Sequence, residues 1–432
     1  MTMELSRWIE QQSRLSAELM ERAISATHLQ RVRAQFGQTI VPAPGSVLAS
    51  PSLADWNPEP DYFFHWLRDS AIVMRAVVEL AAHAPDEPER RRWIRHFEDF
   101  VGFSLRLARL DGRDFESPIE WTDPEFRKFL RPLDDMRALT GDALLGEPRF
   151  NPDGSLDILR WSRPQYDGPA LRALACLKFL ATGGRANPDI KALLRLDLDF
   201  IVRHAGETCI GPWEEADENT HHYYVAAVQL GALVHGRAAM DAPAEAAETR
   251  LRAVLERHWS SEHAVYAAIW PFTGQGRADL VDSAILLGVL DADLPDGPHS
   301  VSDPRVWQTL AGLEDVFSRE FPINCGRAAP ALGRSRGDRY FGGGAWYVTT
   351  LAAAALWYRR ASRDGDARHI GRGDAFMATV RDFTPADGHL AEQVDRASGM
   401  PASARDLTWS YAAFVSTAYL RDQAIRLTGA RR

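Results

Sequence analysis

The sequence predicts an all-α protein whose helices close into a single (α/α)6 barrel. Apolar residues recur at about the 3.6-residue period of a helix in about twelve segments of the 432-residue chain. Strand-like alternation is nearly absent, with 37–48 as its best candidate, and no Pro- or Ser-rich linker divides the chain. The predicted helices span 3–24, 63–83, 86–110, 167–182, 187–205, 219–240, 243–260, 277–292, 303–320, 345–363, 370–383 and 404–427.

The third, fifth, seventh and ninth predicted helices begin with ordinary start signals. In each, a polar residue that can cap the helix precedes an early proline, as helix N-termini commonly require. Because such helices keep a polar face, they are predicted to form the outer layer of the barrel. The four signals are Asp86 with Pro88, Asn187 with Pro188, Asp241 with Pro243, and Asp303 with Pro304.

The even-numbered predicted helices differ, since segments such as 223–234 and 345–358 are apolar around the whole circumference. A helix of that kind is buried, so these helices are predicted to form the inner layer. Inner helices of one barrel run in the same direction, and the long loops that precede several of them would line one pocket. An open α-solenoid is the alternative, but no fixed repeat period is visible.

Composition limits the possible partners and the compartment. The net charge is −9, which argues against nucleic acid, and 45% apolar residues are enough for a large core. The three cysteines have neither zinc nor disulfide spacing. The N-terminus is amphipathic rather than signal-like, and no run is long enough for a membrane span. A cytoplasmic, single-domain protein over 1–432 is expected, while the oligomeric state is left open.

Glu214 and Glu392 are the leading candidates for chemistry. They lie in the segments Trp213-Glu214-Glu215 and Glu392-Gln393, which belong to loops rich in aromatic and arginine residues just upstream of long helices. Two carboxylates presented from corresponding places in a repeated architecture are what glycoside hydrolysis requires. The alternatives are a solvated acidic turn at Glu214 and Glu215 and a surface carboxylate at Glu392.

Segment 61–70 places Arg68 and Asp69 among aromatic residues. Buried charges need partners, so a purely structural Arg–Asp pair is one interpretation. The other interpretation is recognition of sugar hydroxyls, with Trp66 or Tyr62 lining the pocket.

Segment 161–170 admits a structural interpretation for only part of its length. Asp167 could cap the following helix and Pro169 could occupy its first turn. Neither role accounts for Trp161 and Arg163 just outside the helix.

The glycines of 333–338 and 342–346 could suggest a phosphate cradle. No Gly-Lys-Ser/Thr follows and no strand precedes, which disfavours a P-loop and favours Arg334 as a ligand of a substrate hydroxyl. His221 and His222 are adjacent rather than one helical turn apart, which disfavours a metal site. No nucleophile elbow and no Cys/His dyad is evident.

Six segments, taken in order, resemble the glucoamylases of glycoside hydrolase family 15. The resemblance spans about 47–420, and the family's (α/α)6 barrel agrees with the helix count made from periodicity. The segments are 47–52, 62–70, 161–173, 213–215, 333–334 and 392–413.

The resemblance implies hydrolysis with anomeric inversion, in which one β-D-glucose is released from a non-reducing end. Glu214 resembles the general acid and Glu392 the general base, while Tyr62 would help to hold the attacking water beside Glu392. Glu215 would contact the next sugar. No metal and no cofactor is implied.

The resemblance also implies a substrate-binding set around these residues. Charged members would bind the hydroxyls of the terminal glucose and indole rings would shape its pocket. The set consists of Arg68, Asp69 and Arg334 for the hydroxyls, Trp66, Trp161, Trp213 and Trp409 for the pocket, and Arg163, Trp346 and Gln393 beside them.

The chain departs from the fungal pattern at several positions. The run 216–224 is longer by about two residues and should border the leaving-group sugar, so it bears on linkage preference. Gly337 stands where an acidic residue is common, and Pro212 where leucine is common. Neither a starch-binding module nor an N-terminal β-sandwich is recognisable in the sequence.

The sequence therefore predicts an exo-acting α-glucosidase for short α-1,4- or α-1,6-linked gluco-oligosaccharides of the maltose or isomaltose type. A trehalase-type α,α-1,1-glucosidase of the same family is an alternative. Two non-enzymatic alternatives are a glucoamylase-like sugar-binding or regulatory domain and a solenoid scaffold.

Overall fold

Twelve long helices form the body of the protein in the computed structural model, which describes residues 2–55, 58–215, 219–240, 244–272 and 276–430. Each helix corresponds to one predicted segment. The helices are α1 (Thr2–Glu21), α2 (Leu67–Ala82), α3 (Glu87–Leu107), α4 (Asp167–Ala181), α5 (Pro188–His204), α6 (Tyr223–Gly236), α7 (Glu245–Arg257), α8 (Ala284–Ala292), α9 (Pro304–Glu320), α10 (Tyr347–Asp364), α11 (Arg368–Phe383) and α12 (Thr408–Thr428).

The even-numbered helices close into a ring. Helix α2 packs on α4, and contacts continue through α6, α8, α10 and α12 back to α2. The odd-numbered helices α3, α5, α7, α9 and α11 lie outside the ring, each on the inner helix that precedes it, and α1 packs on α12. This contact between the first and last helices excludes an open solenoid, and the (α/α)6 prediction is confirmed. One hydrophobic core includes residues of all twelve helices. The domain extent over 1–432 stays a prediction.

Burial separates the two layers as the composition predicts. In the inner helix α2, 13 of 16 residues are buried, whereas 8 of 21 are buried in the outer helix α3. The cause is the number of neighbours, since an inner helix packs on two ring neighbours and an outer helix. Polar residues of outer helices can remain in solvent.

The predicted start signals of three outer helices are confirmed. The side chains of Asp86, Asn187 and Asp303 accept hydrogen bonds from first-turn backbone N–H groups of α3, α5 and α9. Such a cap is worth about 1 kcal/mol. The signal at 241–243 lies outside the described residues.

Three inner helices begin later than predicted, because two-residue strands precede them. The strands before α2, α6 and α10 carry Trp66, His222 and Trp346 and pair with distant parts of the chain. The strands are β1 (Arg31–Arg33), β2 (Gln38–Ile40), β3 (His65–Trp66), β4 (Arg149–Phe150), β5 (His221–His222), β6 (Trp259–Ser260), β7 (Val265–Tyr266), β8 (Ile269–Trp270), β9 (Ala345–Trp346), β10 (Gln393–Val394) and β11 (Pro401–Ala402).

All strand pairs are antiparallel. The pairs are β1 with β2, β3 with β4, β5 with β8 and β6 with β7, and β10 lies between β9 and β11. The predicted strand 37–48 is wrong for most of its length. Of the named strands, only β2 falls within it. Gly37 adopts a left-handed conformation in the turn that joins β1 to β2.

The single predicted helix 277–292 is also wrong, since it divides into Arg277–Leu280 and α8. Val281 has an extended backbone, and Asp282 follows it. One oxygen of Asp282 accepts hydrogen bonds from the backbone N–H of Ala284, at 2.7 Å, and from the indole of Trp213, at 2.9 Å. The break therefore joins the start of α8 to the loop that carries Glu214.

The long irregular stretch 111–166 is ordered by its own packing. It contains the short helices Leu133–Arg137 and Asp142–Leu145 and the 3-10 turns Pro118–Glu120 and Pro124–Phe129. Its apolar residues form a second hydrophobic cluster with Phe103 and Leu107 near the C-terminal end of α3 and with the residues around Trp66. The stretch thus delivers β4 and Trp161 to the N-terminal end of the inner ring.

A buried ion pair joins an outer helix to an inner one. Arg172 on α4 donates two hydrogen bonds to Asp197 on α5, and both side chains are at most 1% exposed. We expect Asp197→Ala to lower the free energy of unfolding by about 3–5 kcal/mol, because it leaves a buried charge unpaired. Urea denaturation measures this change.

The matched control is the double variant Arg172→Met/Asp197→Leu, which removes both charges at similar volume. It should recover most of the lost stability. A single-variant effect below about 1 kcal/mol, the size of a solvent-exposed pair, would contradict the assignment of this pair as a buried link.

Candidate active site

The N-terminal ends of the inner helices meet around a cavity of about 150 Å³. Twelve of the fourteen predicted site residues line it, so loops far apart in sequence form one site. They are Tyr62, Trp66, Arg68, Asp69, Trp161, Trp213, Glu214, Glu215, Arg334, Trp346, Glu392 and Trp409.

Glu214 lies in a tight turn between α5 and α6. Its backbone is left-handed, with φ of 61°, and its N–H donates to the carbonyl of Gly211 at 3.1 Å. Its carbonyl accepts a hydrogen bond from the Ser162 hydroxyl at 2.7 Å. A non-glycine residue in this conformation costs about 1–3 kcal/mol and persists only where surrounding contacts fix it. Such strain is typical of functional positions.

Four N–H donors surround the carboxyl group of Glu214. Trp66, Arg68 and Gln165 donate to Oε1 at 2.9, 3.0 and 3.0 Å. Trp161 donates to Oε2 at 2.6 Å. Oε1 therefore has its lone pairs occupied, whereas Oε2 retains room for a proton.

Arg68 connects three parts of the site. Its Nη1 donates to Gln165 and Asp167, both at 3.0 Å, and its Nη2 donates to Glu214. Burial lowers the pKa of Arg68, but the carboxylates of Asp167 and Glu214 outweigh burial and keep the net pKa above its ordinary value. Asp167 does not cap α4, because the N-terminus of that helix has no side-chain capping hydrogen bond. Asp167 instead forms an ion pair with Arg68.

Asp69 follows Arg68 on the first turn of α2. The guanidinium Nε of Arg68 and the carboxylate of Asp69 are 3.6 Å apart. Burial raises the pKa of Asp69 to about 6, although the charge of Arg68 acts in the opposite direction. The predicted Arg–Asp pair is thus weaker than the pair of Arg68 with Asp167, and Asp69 lines the cavity.

Glu392 lines the same cavity as Glu214 and is only 3% exposed. Tyr62 donates to its Oε1 at 3.1 Å, and Ser403 donates to its Oε2. Burial raises the pKa of Glu392 to about 7, while the hydrogen bonds from Ser403 and Tyr62 act in the opposite direction. Glu392 is therefore a buried carboxyl group and not a surface carboxylate.

Tyr340, which the sequence analysis did not single out, is a neighbour of Tyr62. Its hydroxyl lies 2.5 Å from the Tyr62 hydroxyl, and it lines the cavity.

Arg334 contacts Asp338 through two hydrogen bonds, at 2.8 and 2.6 Å, and Glu215 at 3.2 Å. Arg334 is thus fixed at the edge of the cavity.

Indole rings form much of the wall. The ring centroids of Trp213 and Trp346 are 5.6 Å apart, and those of Trp66 and Trp161 are 5.9 Å apart. Trp409 lies beneath Arg68, with the guanidinium carbon 5.9 Å from its ring centroid. Flat apolar faces beside charged hydrogen-bonding groups suit a sugar ring, which has apolar faces and polar edges.

A larger chamber of about 460 Å³ adjoins the cavity. Glu392 lines only the smaller one, which is called the inner cavity below, and the lining residues that the two share are Pro212, Trp213, Glu214, Glu215, Arg334 and Tyr340. Glu214 therefore stands at the boundary between the two spaces. Glu392 lies in the inner space alone.

Two predicted binding residues lie elsewhere among the described residues. Arg163 forms ion pairs with Glu147, at 2.7 Å, and Asp157, at 3.3 Å. Gln393 donates to the carbonyl of Tyr340 and accepts from the N–H of Gly344, both at 3.0 Å. Both residues brace cavity loops and neither lines the cavity, so their role in substrate binding stays a prediction.

Ser403, Gln165 and Tyr340 are the functional neighbours that the sequence argument missed. Ser403 and Gln165 lie within the segments that carry the family resemblance, and that position was the available signal. Tyr340 lies between Asp338 and the glycines of 342–344, where the local sequence predicts only a turn. Its proximity to Tyr62 depends on the tertiary fold.

A metal site and a membrane-spanning helix have structural requirements with which the described part of the chain can be compared. No group of three or more His, Cys, Asp or Glu side chains there is arranged to hold a metal ion. None of the helices of the described residues combines the length and apolar character that crossing a bilayer requires.

An (α/α)6 barrel that presents Glu214 and Glu392 to one small cavity with indole walls has the architecture of a glycoside hydrolase. The family model described as "Glycosyl hydrolases family 15" matches residues 25–106, 134–371 and 369–419. The chain belongs to this family.

Relatives of the chain agree with this placement. Glucoamylase-1 of Schizophyllum commune is 28% identical over 438 residues, which cover 89% of this chain and 70% of that protein. The solved glucoamylase of Hypocrea jecorina aligns with a TM-score of 0.76 at 23% identity, over 97% of this chain and 72% of the other. That of Saccharomycopsis fibuligera aligns with a TM-score of 0.75 at 23% identity, over 98% and 96%. These structural similarities show the fold.

The surroundings of Glu392 predict its titration. We expect Ser403→Ala to raise the pKa of Glu392 above about 7, by about one unit. The reason is that the Ser403 hydroxyl, which alanine lacks, donates to Glu392 and stabilises its ionised form. Infrared titration of the carboxyl bands, assigned by difference from Glu392→Gln, measures this shift.

The control is Ser52→Ala, which removes a hydrogen bond to Asp406 rather than to Glu392. It should leave the titration of Glu392 unchanged. If Ser403→Ala leaves that titration unchanged as well, the hydrogen bond from Ser403 has no influence on the ionisation of Glu392.

Proposed function

We propose that the protein is an inverting, exo-acting α-glucoside hydrolase that releases β-D-glucose from the non-reducing ends of short gluco-oligosaccharides. The observation that carries the proposal is the placement of Glu214 and Glu392 on one small cavity with different surroundings. The cavity would hold the terminal glucose. The adjoining chamber would hold the rest of the substrate, which explains removal of one unit at a time.

The assignment of roles follows from position. The general acid must reach the oxygen between the terminal glucose and the leaving group, and Glu214 stands at the boundary of the two spaces. The general base must activate water behind the glucose, and Glu392 lines only the inner space. Electrostatics alone would favour the reverse order, because Glu392 has the raised pKa and Glu214 contacts Arg68. Position decides, since proton transfer requires hydrogen-bond reach.

The reaction is then a direct displacement. Glu214 gives the proton on Oε2 to the glycosidic oxygen, the bond from that oxygen to the anomeric carbon breaks, and water attacks the opposite face of this carbon. Glu392 accepts the proton of the water. Because Glu392 acts as a carboxylate, its protonation below the pKa of about 7 removes the general base and should lower activity.

The remaining cavity residues have binding roles in this proposal. Arg68, Asp69 and Arg334 bind hydroxyl groups of the terminal glucose, and Tyr62 holds the attacking water beside Glu392. Glu215, which is 59% exposed on the chamber side, contacts the next sugar.

Indole faces complete the proposed glucose pocket. Trp66, Trp161, Trp213, Trp346 and Trp409 line the cavity and would pack against the sugar ring.

The substrate proposal is maltose- or isomaltose-type oligosaccharides with α-1,4 or α-1,6 linkages. The chamber beyond Glu214 is about three times the volume of the inner cavity, at about 460 against 150 Å³, which fits a short leaving group. Trehalose hydrolysis is the second candidate, since its leaving group is also one glucose. Residues 216–218 of the loop expected to affect linkage lie outside the described residues. The cytoplasmic location stays a prediction.

The roles of the two carboxyl groups are tested with Glu214→Gln and Glu392→Gln. Each should lower turnover of maltose or isomaltose by a factor of at least about 100. The two variants should differ on α-D-glucosyl fluoride, whose leaving group needs no proton. Glu214→Gln should retain much of the wild-type rate on the fluoride, and Glu392→Gln should lose it.

Initial rates of glucose release and substrate affinity are measured for both substrates. Glu215→Gln is the matched control, because it changes the adjacent carboxylate and should mainly raise KM for disaccharides. If Glu392→Gln is the variant that retains fluoride hydrolysis, the two roles are reversed. Near-normal turnover of the disaccharides by either variant would overturn the proposal.

Linkage preference is tested by glucose release from α-1,1, α-1,4 and α-1,6 disaccharides at equal concentration. We expect the α-1,4 or α-1,6 substrate to give the highest kcat/KM, and trehalose to give the lowest. A preference for trehalose would establish the second candidate. No release from any of the three would favour a sugar-binding domain.

A further inference from the structure

Arg149 occupies an unusual position beneath the active site. It lies in β4, opposite Trp66 in β3, and its side chain is fully buried. Its Nε donates to Asp157 at 2.8 Å, but its Nη1 and Nη2 atoms have no hydrogen-bond partner among the described residues. Buried polar groups without partners are costly, so this position calls for an explanation.

Aromatic faces surround the guanidinium in place of hydrogen-bond acceptors. Its central carbon lies 3.7 Å from the ring centroid of Trp161, 4.1 Å from that of Phe64 and 4.8 Å from that of Trp66. Cation–π attraction is strongest for indoles and grows when both groups are removed from water. Arg149 thus fixes two indoles at once.

These two indoles are the ones that hold Glu214. The indole N–H of Trp161 donates to Oε2 of Glu214 at 2.6 Å, and that of Trp66 donates to Oε1 at 2.9 Å. A cation on the face of an indole withdraws electron density from the ring, so its N–H becomes a stronger donor. Contacts thus connect Arg149 through the two indole rings to both carboxyl oxygens of Glu214.

A purely structural ion pair does not account for the arrangement. Asp157 has a second cation, Arg163, at 3.3 Å, and its other oxygen accepts from the N–H of Leu159 at 2.9 Å. The loop of Asp157 is therefore held without Arg149. The contacts that depend on a planar cation at this place are those with the aromatic rings, among them the two indoles.

We propose that Arg149 is a positioning residue for the reaction, acting on Glu214 through Trp161 and Trp66. The proposal rests on the role of Glu214 as general acid. The planar guanidinium orients both indoles, and its charge polarises the two rings that donate to Glu214. Electrostatics agree: burial lowers the pKa of Arg149, and among the groups that oppose this effect are the carboxylates of Asp157 and Glu214.

The test compares Arg149→Gln with Arg149→Lys in the full-length enzyme. Gln keeps a donor for Asp157 and removes the charge, whereas Lys keeps the charge and removes the planar stack. For Gln we expect kcat on the preferred disaccharide to fall about tenfold. We also expect the rate on α-D-glucosyl fluoride to fall much less, because its leaving group needs no proton from Glu214. Lys should restore part of the disaccharide rate but not the full kcat.

The matched control is Arg421→Met, which removes another buried arginine, paired at 2.6 Å with Asp374 of the outer helix α11. It should lower the melting temperature without separating the disaccharide rate from the fluoride rate. An equal loss on both substrates in Arg149→Gln, or no loss on either, would overturn the proposal and leave Arg149 a structural residue. If Arg149→Gln does not fold, a wild-type kcat in Arg149→Lys would overturn it.

The failure of this inference differs from the failure of the proposed function. If Glu214→Gln hydrolyses disaccharides normally, Glu214 is not the acid and the function itself is wrong. If Glu214→Gln is inactive on disaccharides while Arg149→Gln keeps the wild-type ratio of disaccharide to fluoride rates, only the role of Arg149 is wrong.

Discussion

The buried guanidinium of Arg68 is the interaction on which the active site depends. It lies at the start of α2 and pairs with Asp167 at the start of α4 and with Glu214 before α6. Three neighbouring inner helices are thus connected at the end where the cavity lies. A buried charge that loses a partner costs about 3–5 kcal/mol, so this cation and its carboxylates must stay together. The closed ring of helices makes their meeting possible, and the charge fixes its geometry.

Two carboxyl groups in one cavity acquire different properties from this arrangement. Glu214 faces N–H donors on both oxygens, whereas Glu392 receives two hydroxyl groups and is buried, which raises its pKa to about 7. The loop turn with φ of 61° fixes Glu214 at the boundary of the inner cavity. Different surroundings thus allow the same residue type to serve two purposes.

Helix positions could be predicted from the sequence because apolar periodicity is a local signal. The starts of the inner helices α2 and α10 could not be predicted, since Trp66 and Trp346 belong to strands that pair with residues far along the chain. The cavity residues came largely from the family resemblance, which preserves their order. The direction of the Arg163 side chain could not be predicted from its place near Trp161, and in the structure it pairs with Glu147. Tyr340 was missed because its contact with Tyr62 spans 278 positions.

The central claim is that Glu214 and Glu392 act from opposite faces of one glucose, with water between the sugar and Glu392. The most direct measurement is proton NMR of the glucose released in the first moments of hydrolysis, before the anomers interconvert. The account predicts β-D-glucose as the first product, because attack by water opposite the leaving group inverts an α-linkage. First release of α-D-glucose would show retention, and with it a covalent intermediate that contradicts the assignment of Glu392 as a general base.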